Sequence, residues 1–182
     1  NAGISMRALF EEVDIQVLKQ SMDINFWGTV KKKKKSLPSI IENKGSIVGI
    51  SSIAGYKGLP CRTGYSASKF AMQGFLESLR IELLYRSVNV LWICPGFVAS
   101  NIRQSALNAS GKKQTETPLS EASLMSAEEC AQHIFDAIRQ RKRSLMMSAQ
   151  GKLTVWLNRI FPNLADKMVY RHFAKEPGSP LN

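Results

Sequence analysis

The chain has 182 residues, 44% apolar and 21% charged, with a net charge of +11; that suits one domain with its own core and excludes a disordered or fibrous chain. Three cysteines, Cys61, Cys94 and Cys130, form no CxxC pair and leave an odd thiol. That excludes a disulfide framework and predicts a reducing, cytoplasmic setting.

No apolar run approaches the roughly 20 residues needed to cross a bilayer, so no transmembrane helix is expected. The chain opens on Asn1, with neither an initiator Met nor a leader, and is expected to be truncated there. A targeting signal would lie in the missing part. Lys31 to Lys35 supply five of the positive charges. They carry no aromatic interleaving, and the chain has no zinc-finger or RNA-recognition signature, so no nucleic-acid partner is expected. Steep salt dependence would mark such a partner.

In chain order, Asp14 to Asn43 has mostly helical composition, weakened at Gly28 and Pro38. Gly45 to Ser52 is short, β-branched and bounded by glycine, the pattern of a buried strand. Ala67 to Arg86 places Phe70, Phe75, Leu76, Leu79, Leu83 and Leu84 near helical spacing. Ser87 to Cys94 reads as a second buried strand, stopped by Pro95-Gly96. Ser100 to Leu124 offers few core candidates and reads as a mobile loop. Ser126 and Glu129 match a capping box that opens a helix to about Arg143. Leu145 to Met147 suggests a last short strand. In the tail, Trp156, Leu157, Ile160, Phe161, Leu164, Met168 and Val169 form an apolar stripe that Pro162 should break.

Strands alternating with helices predict an α/β fold, a parallel sheet covered by helices, with nothing to mark a second domain. Residues 1–182 are therefore read as one partial domain, with a substrate loop at 100–125 and a helical tail at 151–182.

Ligands of such sheets gather outside the carboxyl ends of the strands. Ser52 and Pro95-Gly96 stand at two such ends, and Asn1-Ala2-Gly3 would stand at a third. Tyr65 and Lys69 share a helical face one turn apart. A phenol titrates near 10; a neighbouring ammonium favours its phenolate and draws it towards the working range. An ordinary surface Tyr and Lys one turn apart is the plain alternative for the spacing alone.

Ser52 lies thirteen residues before Tyr65, Asn1-Ala2-Gly3 stands upstream, and Pro95-Gly96-Phe97-Val98 follows the next strand. This combination resembles the short-chain dehydrogenase/reductase family, from Asn1 to about Ser148. The resemblance implies a Rossmann-like, doubly wound parallel sheet in three α/β/α layers, here without its first βα units. It implies an NAD(P)-dependent oxidoreductase that interconverts a secondary alcohol and a carbonyl. Tyr65 would be the general acid or base, and Lys69 would lower its pKa and bind the nicotinamide ribose. Ser52, favoured by its spacing over Ser51, would hydrogen-bond the substrate oxygen. Asn25 would anchor a water in a proton relay to Lys69; the plain alternative is a polar residue satisfying backbone at a helix irregularity.

By the same resemblance Asn1, Ala2 and Gly3 would contact the cofactor, and Pro95, Gly96 and Val98 would pass the nicotinamide. Ser100, where the family usually has Thr, would add a hydroxyl. A homo-dimer or homo-tetramer is also implied.

Two features depart from the pattern. No TGxxxGxG turn occurs in the chain, and the residue that sorts NAD from NADP goes with it. A molecule that began at Asn1 would leave a sheet edge bare and should bind a dinucleotide poorly. The second departure is Lys31 to Lys35, on a helix the family packs against its sheet and often a dimer partner; the apolar spacing predicts burial near Lys33, Lys34 and Leu37, which is costly for ammonium groups.

No metal site is expected: His133 and His172 have no partner at ligand spacing and read as packing or surface residues. The tail stripe should pack on the substrate mouth or a partner subunit. Peripheral membrane contact is its alternative, since Lys152, Arg159, Lys167 and Arg171 flank it. The loop and the apolar tail suggest a moderately hydrophobic substrate. The rival to the enzyme is a catalytically silent binding module, a truncated fragment that scaffolds a partner through its tail and basic helix; titration with NADH and NADPH separates the two.

Overall fold

The computed structural model describes residues 2–114 and 124–181. Asn1, part of the expected substrate loop (115–123) and Asn182 lie outside the described residues.

The first helical stretch is α1 (Ile15–Met22), a π-helical turn (Asp23–Trp27) and α2 (Gly28–Glu42). Asp14 caps α1 by accepting from the Gln16 N–H at 2.8 Å. Three parallel strands follow, β1 (Ser46–Ile50), β2 (Asn89–Cys94) and β3 (Ser144–Met146), in the spatial order β1-β2-β3. Helix α3 (Thr63–Glu82) joins the first pair and α4 (Ala127–Arg139) the second; α5 (Ala149–Ile160) and α6 (Pro162–Ala174) form the tail. Pro162 breaks the tail where expected.

Side-chain alternation along the strands explains the layers. Ile47, Val90, Trp92 and Cys94 point to one face, where Met72, Leu76 and Leu79 of α3 cover them together with Leu37, Ile40 and Ile41 of α2. Val48, Leu91 and Ile93 point to the other, against Ile134, Ala137 and Ile138 of α4. With both faces covered, β2 is buried throughout, as a central parallel strand should be. The two crossovers step the same way across the sheet yet cover opposite faces. They are therefore of opposite hand, and one departs from the usual right-handed rule.

Several boundaries differ from expectation. Helix α3 starts at Thr63 and stops at Glu82, because residues 83–87 turn and Ser87 takes a left-handed φ of 57°. Ser126 does cap α4, accepting from the Glu129 N–H at 3.0 Å, but the helix stops at Arg139, short of a left-handed Arg141. The described start of the expected mobile loop is packed. Ala106 and Leu107 are buried, and Leu107 pairs with the segment at Met6 through two backbone bonds of 2.8 and 2.9 Å. Lys33 is half-buried, and burial draws its ammonium down. Lys34, expected to be buried beside it, is exposed, because α2 meets β1 only through its distal turns. No helix among the described residues is long and apolar enough to cross a membrane.

Candidate active site

At the carboxyl ends of β1 and β2 the chain leaves a crevice of about 950 Å³. Ala2, Gly3, Ser52, Tyr65, Lys69, Pro95, Gly96, Val98 and Ser100 all line it. The sequence separations are large, but the sheet brings these residues to one edge.

Ser52 follows β1 and caps the short 3₁₀ turn Ile53–Gly55, its hydroxyl accepting from the Ala54 N–H at 3.2 Å. That turn must approach α3 closely: a Cβ on Gly55 would lie 2.9 Å from the Lys69 carbonyl. The approach sets the Ser52 hydroxyl within hydrogen-bonding reach of the Tyr65 phenol. Ser51, the rival serine, is buried and accepts from the Gln73 amide at 2.8 Å, beside Cys94. It also lines the crevice, but its hydroxyl is taken up by that packing.

Lys69 is 3% exposed. Its ammonium donates to the Ile50 carbonyl at 2.8 Å and lies 5.5 Å from the centroid of the Tyr65 ring. Burial lowers its pKa to about 8. The phenol departs from expectation. Burial pushes Tyr65 up; the Ser52 hydrogen bond is the main opposing influence, followed by Arg62, and Lys69 is not among the groups that lower it. Cys94, below both, is pushed up to about 12 by burial, which keeps it a thiol.

Asn25 stands behind this layer. In the π-helical turn its side-chain amide pins both backbone groups of Ile4, accepting from the N–H at 2.8 Å and donating to the carbonyl at 2.9 Å, and also donates to the Ser68 hydroxyl. A Cβ on Gly3 would sit 3.2 Å from the Asn25 Oδ1 and 3.7 Å from the Lys69 Nζ. Asn25 thus holds the segment 2–5 against α3 and keeps Gly3 beside the lysine. These bonds satisfy the Ile4 backbone beside a helix irregularity.

The Val98 carbonyl accepts from the Arg103 guanidinium at 3.4 Å, and the strand-like pairing of Val98 with Met125 holds the loop beyond β2. Gly3, Lys69 and the turn Pro95–Val98 line the same crevice and are the residues that could hold a cofactor there. Lys69 spends one of its three N–H donors on Ile50 and lines the crevice with the remainder.

The tail closes one side in a way the sequence did not announce. Glu176 pairs with Arg62 at 3.0 Å and Arg7 at 3.6 Å. Arg7 also donates to the Pro177 carbonyl at 2.7 Å, and Arg62 lies 4.4 Å over the Phe173 ring. Lys57 bonds Asn158 at 2.8 Å and pairs with Asp166. These partners stand more than a hundred residues apart, so no local pattern could reveal them. His172, set aside as a surface residue, is exposed and also lines the crevice. The apolar stripe divides: Leu157, Met168 and Val169 line the crevice, while Trp156, Ile160, Phe161 and Leu164 face outward.

Residues 1–111 match the family model described as short chain dehydrogenase. The chain belongs to the short-chain dehydrogenase/reductase family. Dehydrogenase/reductase SDR family member 7B of Mus musculus is 35% identical over 178 residues, covering 97% of this chain and 55% of that protein. The family protein 7-like of Drosophila melanogaster is 34% identical, covering 90% of this chain and 51% of its own. The chain thus spans about half the length of the curated relatives it matches.

Two solved short-chain dehydrogenases share the fold. One, from Burkholderia cenocepacia J2315 in complex with NADP, has a TM-score of 0.77 at 21% identity, over 93% of this chain and 66% of its own. The other, from Streptomyces avermitilis, has a TM-score of 0.70 at 24% identity, over 94% of this chain and 69% of its own.

Proposed function

We propose that this chain carries the catalytic part of an NAD(P)-dependent oxidoreductase that interconverts a secondary alcohol and a carbonyl compound. One observation supports this most directly: the Ser52 hydroxyl meets the Tyr65 phenol, with Lys69 one helical turn on, inside a single crevice. Family membership and an NADP-bound neighbour in fold support the cofactor class.

When bound, a nicotinamide dinucleotide supplies or accepts the hydride; Lys69, Gly3, Ala2, Ser100 and the Pro95–Val98 turn are the residues that would hold it. For carbonyl reduction, Tyr65 gives its proton to the substrate oxygen. The Ser52 hydroxyl donates a hydrogen bond to that oxygen as charge develops on it. Lys69, still charged one turn along α3, keeps its ammonium in the same crevice, where it would hold the ribose. Burial keeps the phenol protonated at neutral pH, which suits it to the acid role. Oxidation runs the same proton backwards and needs the phenolate first. Asn25 is a positioning residue, acting through Ile4 and Gly3. A cytoplasmic setting and a homo-dimer or homo-tetramer complete the proposal; the first rests on the unpaired thiols, the second on the family resemblance.

Tyr65→Phe tests the mechanism in the full-length protein. Loss of the proton donor should lower kcat by roughly 10²–10⁴-fold while calorimetric binding of NADH or NADPH is retained. Turnover unchanged in that variant would remove the mechanism.

A further inference from the structure

The tail presents its apolar side chains outward. Leu153, Trp156, Ile160, Phe161, Leu164 and Met168 are 48–55% exposed, all within sixteen residues. Single exposed apolar residues are ordinary on soluble proteins, whereas a contiguous group marks a docking surface.

Three observations identify the occupant. The first is order around each helix. At 3.6 residues per turn, Lys152 and Arg159 flank one side of the Leu153–Trp156–Ile160 row of α5, and crevice-lining Thr154 and Leu157 the other. On α6, Lys167 and Arg171 flank Leu164 and Met168, with crevice-lining Val169 and His172 beyond. The second is charge. Lys152, Arg159, Lys167 and Arg171 are exposed, and none pairs with a carboxylate among the described residues. Both acids of the tail are already paired, Glu176 largely buried with Arg62 and the more exposed Asp166 with Lys57. The third is continuity, because Leu153 and Met168 belong both to the exposed face and to the crevice lining.

We propose that the outer face of α5 and α6 docks on an anionic lipid bilayer, with the crevice mouth at the lipid surface. Unpaired cations beside an apolar row, with Trp156 among them, match the headgroup–acyl boundary. A second copy seated on the same face would instead bring like charges together. The docking stands independently of the hydride chemistry. Added to the proposed reaction, it makes the substrate a lipid-soluble carbonyl or alcohol.

Flotation of the chain with phosphatidylcholine–phosphatidylserine vesicles tests this. Binding is expected there, weakening with added salt, and much less to phosphatidylcholine alone. Trp156→Ser with Ile160→Ser should lower the partition by ~10-fold or more, since both apolar groups are lost from the lipid boundary. Circular dichroism checks that this pair leaves the fold intact. A parallel variant with Lys31, Lys32, Lys34 and Lys35 changed to Gln should keep most of the binding. Three outcomes overturn the proposal: no flotation, flotation lost with the lysines but not with Trp156 and Ile160, or concentration-dependent dimerisation abolished by the Trp156 and Ile160 pair without vesicle binding. None of these bears on the Tyr65→Phe result.

Discussion

Burial draws Lys69 down to about 8 and pushes Tyr65 up, so at neutral pH both hold their protons. Reduction needs the Tyr65 proton and the Lys69 charge. Its kcat should therefore be level below about pH 8 and fall above it as Lys69 discharges, whereas oxidation, which needs the phenolate, should gain with alkali. A reduction rate that climbs through pH 8 would contradict the assignment. The same groups set stability. Between about 8 and 10.5 the unfolded chain holds a proton on Lys69 that the folded chain has lost, so stability rises with pH in that window. Cys94 acts oppositely: between 9.0 and about 12 the unfolded thiol ionises first, and stability falls. Cys61, Cys130, Tyr56 and Tyr65 are raised as well and reinforce that fall. Urea midpoints should thus rise from about pH 8 to 9 and then turn over. Lys69→Met should remove most of the rise, leaving the smaller share of Lys33, and Cys94→Ala should soften the fall. Ser52, Tyr65 and Lys69 could be found in the sequence because their chemistry and spacing sit on one strand end and one helix. The sign of the Tyr65 shift could not, because it depends on burial of the ring, which packs against the remote cluster of Met6, Ala8, Val17 and Leu107.

The strands and helices of the sheet followed from periodicity, since their apolar positions are fixed by which layer they face. Where boundaries slipped, the cause was backbone conformation at a single residue, such as left-handed Ser87 and Arg141, which have no distinctive side chain. The packed segment at Ala106 and Leu107 was missed because its partners, Ser5 and Arg7, are remote and the pairing is made by backbone groups. Close approach between layers gives a sharper test. A Cβ on Gly49 would lie 2.3 Å from the Leu76 Cδ1, so Gly49→Ala should cost about 1–3 kcal/mol by overpacking. That loss, read by urea denaturation, should leave site chemistry intact in the molecules that remain folded. Gly55→Ala meets the Lys69 carbonyl as well as Gln73 and should also displace Ser52. Its turnover should fall further than its stability explains. Ser126→Ala removes the α4 cap, at about 1 kcal/mol, and should leave turnover alone.

Three layers fix the carboxyl edge of the sheet, and the tail then folds back across that edge from the far side. This last step was the least visible in the sequence, where Pro162 and an apolar stripe announced two helices but not what they would touch. The fasteners are polar and distant: Lys57 on Asp166, and Arg7 and Arg62 sharing Glu176. Both guanidiniums and the Glu176 carboxylate are largely shielded from water, their side chains 12–16% exposed. Arg7 precedes the first helix and Arg62 caps α3, three residues before Tyr65, so the Glu176 side chain ties the tail to an early segment and to the helix that carries Tyr65. Arg7, Arg62 and Glu176 all line the crevice, so this bolt stands beside the route in and out. If egress past it is the slow event in each cycle, adding viscogen should retard turnover, and Glu176→Gln should quicken kcat, raise KM and erase the viscogen dependence.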